Sequence, residues 1–570
     1  MIVEFFGERT LRRYANPVET IAAYHAPSVE LALRRCDDAL ANGYSIAGFL
    51  THEAGCAFEA IDVPALPPHR PLLEIGVYGG WSEADASMHV TGTEDHAALL
   101  GPLVTEIGRE RYERDLATID RAIRSGDVYQ VNYTVPFAFT FGSNWGALFA
   151  RLRAGAGVRY AASVRSHDRA IVSLSPELFL GFDGRHVWTR PMKGTSAPDD
   201  TAQLDTPKNR AEHVMIVDLL RNDLHRVCDD VSVRALFDVE RYPTFATAVT
   251  TIDGMLTAGR RFSDVVRATF PCGSVTGAPK ISALGYVART ERAPRDVAMG
   301  SIGYCDPGPR GMWNVAIRTL DLDLATGVGT ARVGGGIVAD SNVTDEWAEI
   351  LIKRRAFDAL VRPFGLLETL RVEVDGTMPR LEAHLARLER SAFAFGITVD
   401  VKDVRELLLS SAKSSRTGPA LARVTIERDG SATIDERDLI SFGEVAKLHL
   451  TSIALRSDDP TLRYKTTMRN AYDEALRLAR RVGAAEGLLV NEAGRIADGS
   501  RTSLFVEIDG RLATPPLEDG AVEGILRAEL LARQAAVERS LCAADLVGRK
   551  LFIGNAARGL VPARLGVARR

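Results

Sequence analysis

Only six cysteines occur in the 570 residues, and no two of them form a CxxC pair. That spacing excludes a zinc-finger type of site and a disulfide framework, and fits free thiols buried in a reducing compartment. No run of 18 apolar residues is present, so no transmembrane helix is expected. The start, Met1-Ile2-Val3-Glu4-Phe5-Phe6, lacks a basic stretch followed by a long apolar one and does not read as a signal peptide. The cytoplasm is the expected compartment. A one-sided charge is missing too: the formal net charge is −4, which argues against a nucleic-acid surface but leaves room for a local basic pocket. Fixed-period repeats and low-complexity tracts are absent.

What is present is ordinary globular composition, 46% apolar and 25% charged, in a chain too long for one core; roughly two to four domains are expected. Residues 108–135 predict a charged helix followed by a strand at Val128–Tyr133. Residues 209–227 predict a helix burying Val214, Val217, Leu220 and Leu224. Residues 330–339 read as a Gly-rich turn opening a strand, and 344–360 as a helix. Pro363-Phe364-Gly365 breaks that helix, Leu366–Val372 reads as a strand, and Asp375-Gly376 as the turn of a hairpin. The expected units are 1–355 and 364–570, joined by a short junction at 356–363.

Two lysines stand out. Lys193 sits in Arg190-Pro191-Met192-Lys193-Gly194-Thr195, a tight Pro/Gly frame that packing does not explain. In Asp345-Glu346-Trp347-Ala348-Glu349-Ile350-Leu351-Ile352-Lys353, a helix puts Glu346, Glu349 and Lys353 on one face. Two carboxylates so close need a cation between them, and Mg²⁺, hard and oxygen-seeking, suits such a pair with an anionic substrate. Taken alone, a solvated helix face with an i,i+4 ion pair explains the same text. Glu212 offers a third carboxylate, and Gly334, Gly335 and Gly336 offer backbone amides. The loop Phe270–Lys280 mixes Gly, Pro, Ser, Thr and Lys in a way typical of ligand-touching loops.

These motifs resemble the chorismate-utilising enzymes: Ser175-Pro176-Glu177, PMKGT, EHVMIVDLLRND, PCGSVTGAPK, Gly303-Tyr304, GGGIVADS and DEWAEILIK, in the family's order over residues 1 to about 355. The resemblance implies a large β-sandwich core with flanking helices. A lysine at 193 is the pattern of aminodeoxychorismate synthases, where anthranilate synthases usually carry alanine. It implies that Lys193, as the free amine, attacks C2 of chorismate as the C4 hydroxyl leaves, and that ammonia then enters at C4. Glu177 is the implied general acid/base. Gln130 matches ammonia-using relatives, where water-using ones carry lysine. Glu212 and Glu349, with Glu346 through water, would hold Mg²⁺. Tyr304, Arg318, Thr276, Lys353 and the amides of Gly334 to Gly336 would position the substrate carboxylates. One departure is clear: Pro243-Thr244-Phe245-Ala246-Thr247-Ala248 lacks the histidine that many relatives carry there.

The second lysine is Lys465, in Tyr464-Lys465-Thr466-Thr467-Met468-Arg469. Alone, a surface lysine explains it. Three companions change the balance: an amphipathic helix at Leu381–Leu388 carrying Arg387, which can meet a phosphate; a carboxylate, Asp498, just before a strand; and Gly520–Arg527, a turn entering a helix and a ready anion site. Together they resemble the fold-type IV pyridoxal-phosphate family over about 364–570, a smaller α+β unit. The resemblance implies that Lys465 carries pyridoxal 5′-phosphate, that Arg387 with the amides of Ile525 and Leu526 binds its phosphate, and that Asp498, where relatives usually have glutamate, faces the pyridine nitrogen. Ser503 replaces the usual asparagine. The text from Lys465 through Tyr472, and Asn555–Leu560, looks most like aminodeoxychorismate lyase, in which a threonine, here Thr369, orients the lysine.

The two resemblances together imply a bifunctional α+β enzyme making 4-aminobenzoate from chorismate for folate synthesis. No glutaminase nucleophile elbow occurs, so ammonia is expected from solution or from a separate glutamine amidotransferase subunit. A homodimer through the C-terminal half is expected, with no nucleic-acid or membrane partner. The rival readings are an anthranilate-forming enzyme with an appended aminotransferase, and a C-terminal half that only dimerises.

Overall fold

The computed structural model describes residues 1–7, 10–59, 61, 63–84, 100–142, 144–412 and 417–566. The chain divides into two compact units, one of residues 1–100 with 110–361, the other of 101–109 with 362–570. Within the second unit the short segment 101–109 is tied by Thr105 N, which donates to Ala394 O at 3.0 Å.

The first unit is built on two large antiparallel sheets. The first runs in space from Gly277–Ala278 through Gln130–Thr140, Val328–Ile337, Thr319–Asp323, Arg169–Ser175 and Tyr160–Ser166 to the N-terminal strands Ile2–Gly7 and Thr10–Tyr14. The second runs from Met192–Ser196 through Ala246–Leu256, His186–Arg190, Leu178–Asp183, Arg310–Val315 and Ser301–Asp306 to Ser45–Leu50 and Leu73–Tyr78. Val3, Phe5 and Val164 from the first sheet share one apolar core with Phe49, Leu178 and Ile302 from the second, which makes the expected sandwich. The helices Ala26–Ala41, Pro207–His225 and Phe262–Thr269 add a further core on the second sheet, through Leu33, Leu220 and Val266.

Three local expectations fail for physical reasons. Gly334–Gly336 is not a turn; it lies inside the strand Val328–Ile337, paired residue for residue with Thr134 down to Asn132. The glycines answer to crowding: a Cβ on Gly334 would fall 2.0 Å from Tyr133 O, and one on Gly336 would fall 2.8 Å from Gln130 Cδ. Val214 is 50% exposed, because the helix Pro207–His225 turns His213, Ile216, Val217, Leu220 and Leu224 inward instead. Asp375-Gly376 does turn, with Gly376 at φ +82°, but it leads into the helix Leu381–Phe395. The strand Leu366–Val372 pairs with Ala420–Ile426 further along, since a turn dipeptide sets only its own φ/ψ and not the partner strand.

In the second unit, Leu366–Val372, Ala420–Ile426 and Ala432–Asp438 form a three-stranded antiparallel sheet. An eight-stranded mixed sheet follows, with Ala446–Leu455 parallel to both Glu486–Asn491 and Gly559–Leu565. The helix Leu381–Phe395 buries Leu385 and Leu388, while Leu381 is only half-buried.

Candidate active sites

In the first unit, a cavity of about 410 Å³ is lined by Glu177, Lys193, Glu212, Arg318, Gly334, Gly335, Gly336, Glu346, Glu349 and Lys353. Lys193 is fixed by its strand: it pairs with Ala248, and the next residue, Gly194, takes φ +72° while its carbonyl accepts the Thr247 hydroxyl at 2.7 Å. Thr247 lies in the stretch that lacks the expected histidine. The Lys193 ammonium donates to Gln130 Oε1 at 3.4 Å. Burial lowers its pKa, opposed chiefly by Glu212 and reinforced by Lys353. Glu177 is pushed the other way, up to about 7, by burial, against a hydrogen bond from Ser274 and the charge of Lys193. Among the described residues its Oε1 has no hydrogen-bond partner. A lysine biased toward the free amine beside a carboxyl biased toward the acid is the arrangement that nucleophilic and general-acid chemistry needs.

The carboxylates converge on Gly335. A Cβ placed there would lie 3.4 Å from Glu349 Oε1, 3.4 Å from Lys353 Nζ and 3.5 Å from Glu346 Oε2. Lys353 Nζ pairs with Glu349 Oε1 at 2.6 Å and donates to Gly334 O at 2.8 Å. The donors are hard oxygens, the kind Mg²⁺ prefers, and Glu349 Oε1 is paired here with the Lys353 ammonium. Among the described residues no group of three acidic, His or Cys side chains forms a metal cage. Arg318 lies at φ 50°, with its guanidinium 3.8 Å from the centroid of the Phe245 ring. Burial lowers its pKa to about 10.

Two expected substrate contacts fall elsewhere. The Tyr304 ring sits 5.3 Å from Phe5 and 5.5 Å from Tyr14 in the sandwich core, away from the cavity lining; an aromatic on an inward strand position is claimed by packing. The Thr276 hydroxyl donates to Cys272 O and Gly273 O, closing its own turn. Two residues were missed. Asn132, two positions after Gln130 on the same strand face, lines the cavity with an unpartnered Nδ2, and Ser274 bonds Glu177. The period-2 rule applied to Gln130 would have found Asn132. His213, next to Glu212, is held neutral: burial and the nearby Lys193 push it down to about 4.

In the second unit, a cavity of about 500 Å³ gathers Thr369, His384, Arg387, Lys465, Asp498, Ile525 and Leu526. Burial pulls Lys465 down to about 7, aided by Arg387, Arg469 and Arg423 and opposed by Glu368. Asp498 accepts from Gly499 N at 2.9 Å and Val522 N at 3.1 Å, yet burial still raises it to about 7. Ile525 and Leu526 open the helix Ile525–Ala532, whose first amides have no carbonyl inside the helix to bond. Arg387 grips Glu368 with two bonds, Nε to Oε1 at 2.8 Å and Nη2 to Oε2 at 2.7 Å, and donates from Nη1 to Glu523 O at 3.0 Å. Two of its five N–H groups stay available. Glu368, which also meets His384 Nδ1 at 2.6 Å, is the residue the sequence reading missed. A charged residue at an inward position of a strand was its signal. A lysine of lowered pKa, an enclosed carboxyl and a helix N-terminus fit pyridoxal phosphate.

The chorismate binding enzyme model matches residues 7–359, and the amino-transferase class IV model matches residues 365–565. Aminodeoxychorismate synthase component 1 of Salmonella typhimurium is 38% identical over 257 residues, 43% of this chain and 56% of that protein. Its Escherichia coli counterpart is 39% identical over 257 residues, again 56% of its length. The chain therefore spans little more than half of these relatives. Anthranilate synthase component I from Streptococcus pneumoniae superposes with a TM-score of 0.53 at 23% identity, over 63% of this chain and 92% of that one, a likeness of fold. With its larger part matched and the sandwich carrying the lysine and glutamates in one cavity, the chain belongs to the chorismate binding enzyme family, with a class IV aminotransferase region behind it.

Proposed function

We propose that the chain converts chorismate and ammonia to 4-amino-4-deoxychorismate in its first unit, and that compound to 4-aminobenzoate and pyruvate in its second. The observation that carries this reading is the pair Lys193 and Glu177 in one cavity, with the amine pushed down and the carboxyl up. Lys193 adds to C2 of chorismate, the ring double bond shifts, and the C4 hydroxyl leaves as water with a proton from Glu177. Ammonia then adds at C4, the double bond shifts back, and Lys193 leaves C2. Gln130 holds the amine end in place. Arg318, a buried cation with no carboxylate beside it among the described residues, takes a substrate carboxylate. Glu212, Glu346 and Glu349 would hold Mg²⁺, which supplies charge stabilisation at the ring carboxylate when bound. Ammonia comes from solution or from a separate glutamine amidotransferase subunit.

In the second unit Lys465 and Asp498 would hold pyridoxal phosphate, with Arg387 and the amides of Ile525 and Leu526 at its phosphate. The cofactor supplies an electron sink when bound. Lys465, as the free amine, takes the proton from the amine-bearing C4; the C3–O bond breaks with its electron pair on oxygen, the departing enolate takes up a proton to become pyruvate, and the ring becomes aromatic.

The test incubates the pure protein with chorismate, Mg²⁺ and ammonium, with and without pyridoxal phosphate. 4-Aminobenzoate forms with the cofactor, and 4-amino-4-deoxychorismate accumulates in Lys465→Ala. Anthranilate as the product, or unchanged first-step turnover in Lys193→Ala, overturns the reading.

A further inference from the structure

The cavity around Lys465 carries more positive charge than the cofactor partners account for. Arg387 is matched by Glu368, and Arg527 by Glu538. Six more arginines line the same cavity, among them Arg423, Arg469, Arg501 and Arg558.

Arg423 lies on the strand Ala420–Ile426, in register with Thr369 on one side and Asp435 on the other, so its side chain shares the cavity face with Thr369. Asp435 is taken by Arg437 at 2.6 Å. Among the described residues the Arg423 side chain makes no hydrogen bond or ion pair. Arg469 has a long contact with Asp473, 3.4 Å, and donates to Ser500 O at 2.7 Å. Arg501 lies 3.7 Å from the buried Glu486, a carboxylate that the Thr502 hydroxyl and the Arg501 amide also use. Arg558 donates to the Ile440 carbonyl at 3.2 Å.

Two of these guanidinium groups share one ring. Arg501 lies 5.2 Å and Arg558 4.8 Å from the centroid of Phe442. Like charges gathered this way are costly without an anion, and the pKa values of Arg423, Arg501 and Arg558 are all lowered, by burial first and then by neighbouring arginines. Asp473 and Glu486 answer two of the four cations. Arg423 and Arg558 form no direct ion pair with a carboxylate among the described residues, and a guanidinium fork takes a carboxylate in a planar, two-bond grip.

We infer that Arg423, Arg469, Arg501 and Arg558 form an anion-recognition wall in the Lys465 cavity, fitted to an amine bearing two carboxylates and not to a neutral amine or an ordinary monocarboxylate amino acid. This rests on reading the cavity as a cofactor-dependent amine site. It assigns substrate selection to residues outside the cofactor cradle.

The experiment is calorimetric titration of the full chain, loaded with pyridoxal phosphate, with isophthalate (two carboxylates) and benzoate (one). The wild type binds isophthalate at least about tenfold more tightly than benzoate. Arg423→Gln and Arg558→Gln each weaken isophthalate about tenfold and leave benzoate within about threefold. Arg423→Lys, which keeps the charge and loses the fork, falls between. An unchanged cofactor absorbance and melting temperature confirm that the variants fold and load. Equal affinity for the two probes in the wild type, or Gln variants that bind isophthalate as the wild type does, overturns the wall. A chain that prefers isophthalate but releases no 4-aminobenzoate supports the wall and overturns the proposed reaction; turnover without the preference does the reverse.

Discussion

The main-chain carbonyl of Lys465 accepts a hydrogen bond from the amide of Leu367 at 2.9 Å. The strand Leu366–Val372 thereby fixes the backbone of Lys465, and an isolated bridge from Leu366 to Thr466 repeats the tie. Burial of the Lys465 side chain brings its pKa down to about 7. The free amine is the form that condenses with an aldehyde. The rate of pyridoxal phosphate uptake, followed by absorbance from pH 5.5 to 9, therefore rises through about pH 7 and levels off. A rate still climbing at pH 9 is the behaviour of an ordinary lysine and contradicts the assignment.

Glu368 and Arg387 are both buried and bonded in parallel. Removing one partner leaves the other as an unpaired buried charge, at a cost of about 3–5 kcal/mol. Arg387→Ala should lower the melting temperature of the second unit markedly. The double variant Arg387→Ala, Glu368→Gln should regain much of that loss and still bind the cofactor weakly, because the phosphate cradle is incomplete. Equal melting temperatures for the single and double variants count against the pair as a mutually dependent unit.

Gly336 leaves room for the amide of Gln130 to cross its strand. A Cβ there would sit 2.8 Å from Gln130 Cδ and 3.0 Å from Nε2, so Gly336→Ala pushes the amide off Lys193. Misplacement of this kind costs roughly 10²-fold in rate. The expected result is that loss in ammonia-dependent turnover of chorismate, with the cofactor absorbance of the second unit unchanged. Gln130→Ala should lower turnover to a similar level, and combining the two should add little.

The Mg²⁺ reading predicts that a chelator abolishes the first reaction and leaves the second intact. Glu349→Gln should raise the Mg²⁺ concentration needed for half-maximal turnover by about tenfold or more, since one charged ligand is lost. Lys353 loses its 2.6 Å partner in the same variant, so Lys353→Gln serves as the control. It should change the affinity for chorismate and not the metal requirement.

Many of the residues gathered in the two cavities were legible in the chain because they sit in short local texts. Lys193 lies in a Pro/Gly frame, Glu346, Glu349 and Lys353 lie at helical spacing, and Lys465 is followed by Thr-Thr-Met-Arg. What was not legible depends on pairing between distant segments. Gly334–Gly336 reads as a turn until Gln130–Thr140 is laid beside it. Tyr304 reads as a ligand contact until Phe5 and Tyr14 close over it. Glu368 has no meaning until a helix beginning at Leu381 brings Arg387 and His384 to it.

Glu177 offers a prediction in which activity and stability move in opposite directions. Its folded pKa is raised from 4.5 to about 7 by burial. As the acid that protonates the leaving hydroxyl it acts in its protonated form, so first-step activity falls as pH rises through about 7, while the Lys193 amine favours higher pH; the profile is a bell. Glu177→Gln should lower turnover by about 10²–10⁴-fold and erase the alkaline limb. For stability the sign runs the other way round from a paired carboxylate. The folded state binds this proton more tightly than the unfolded chain, so the contribution is fully present below pH 4.5 and is lost as pH rises to about 7. The loss is on the order of a few kcal/mol above that pH. Glu177→Gln carries no such penalty. It should therefore melt higher than the wild type at pH 8 and show no gain at pH 4, and a gain of equal size at both would mean that the carboxyl is not protonated at neutral pH in the folded chain.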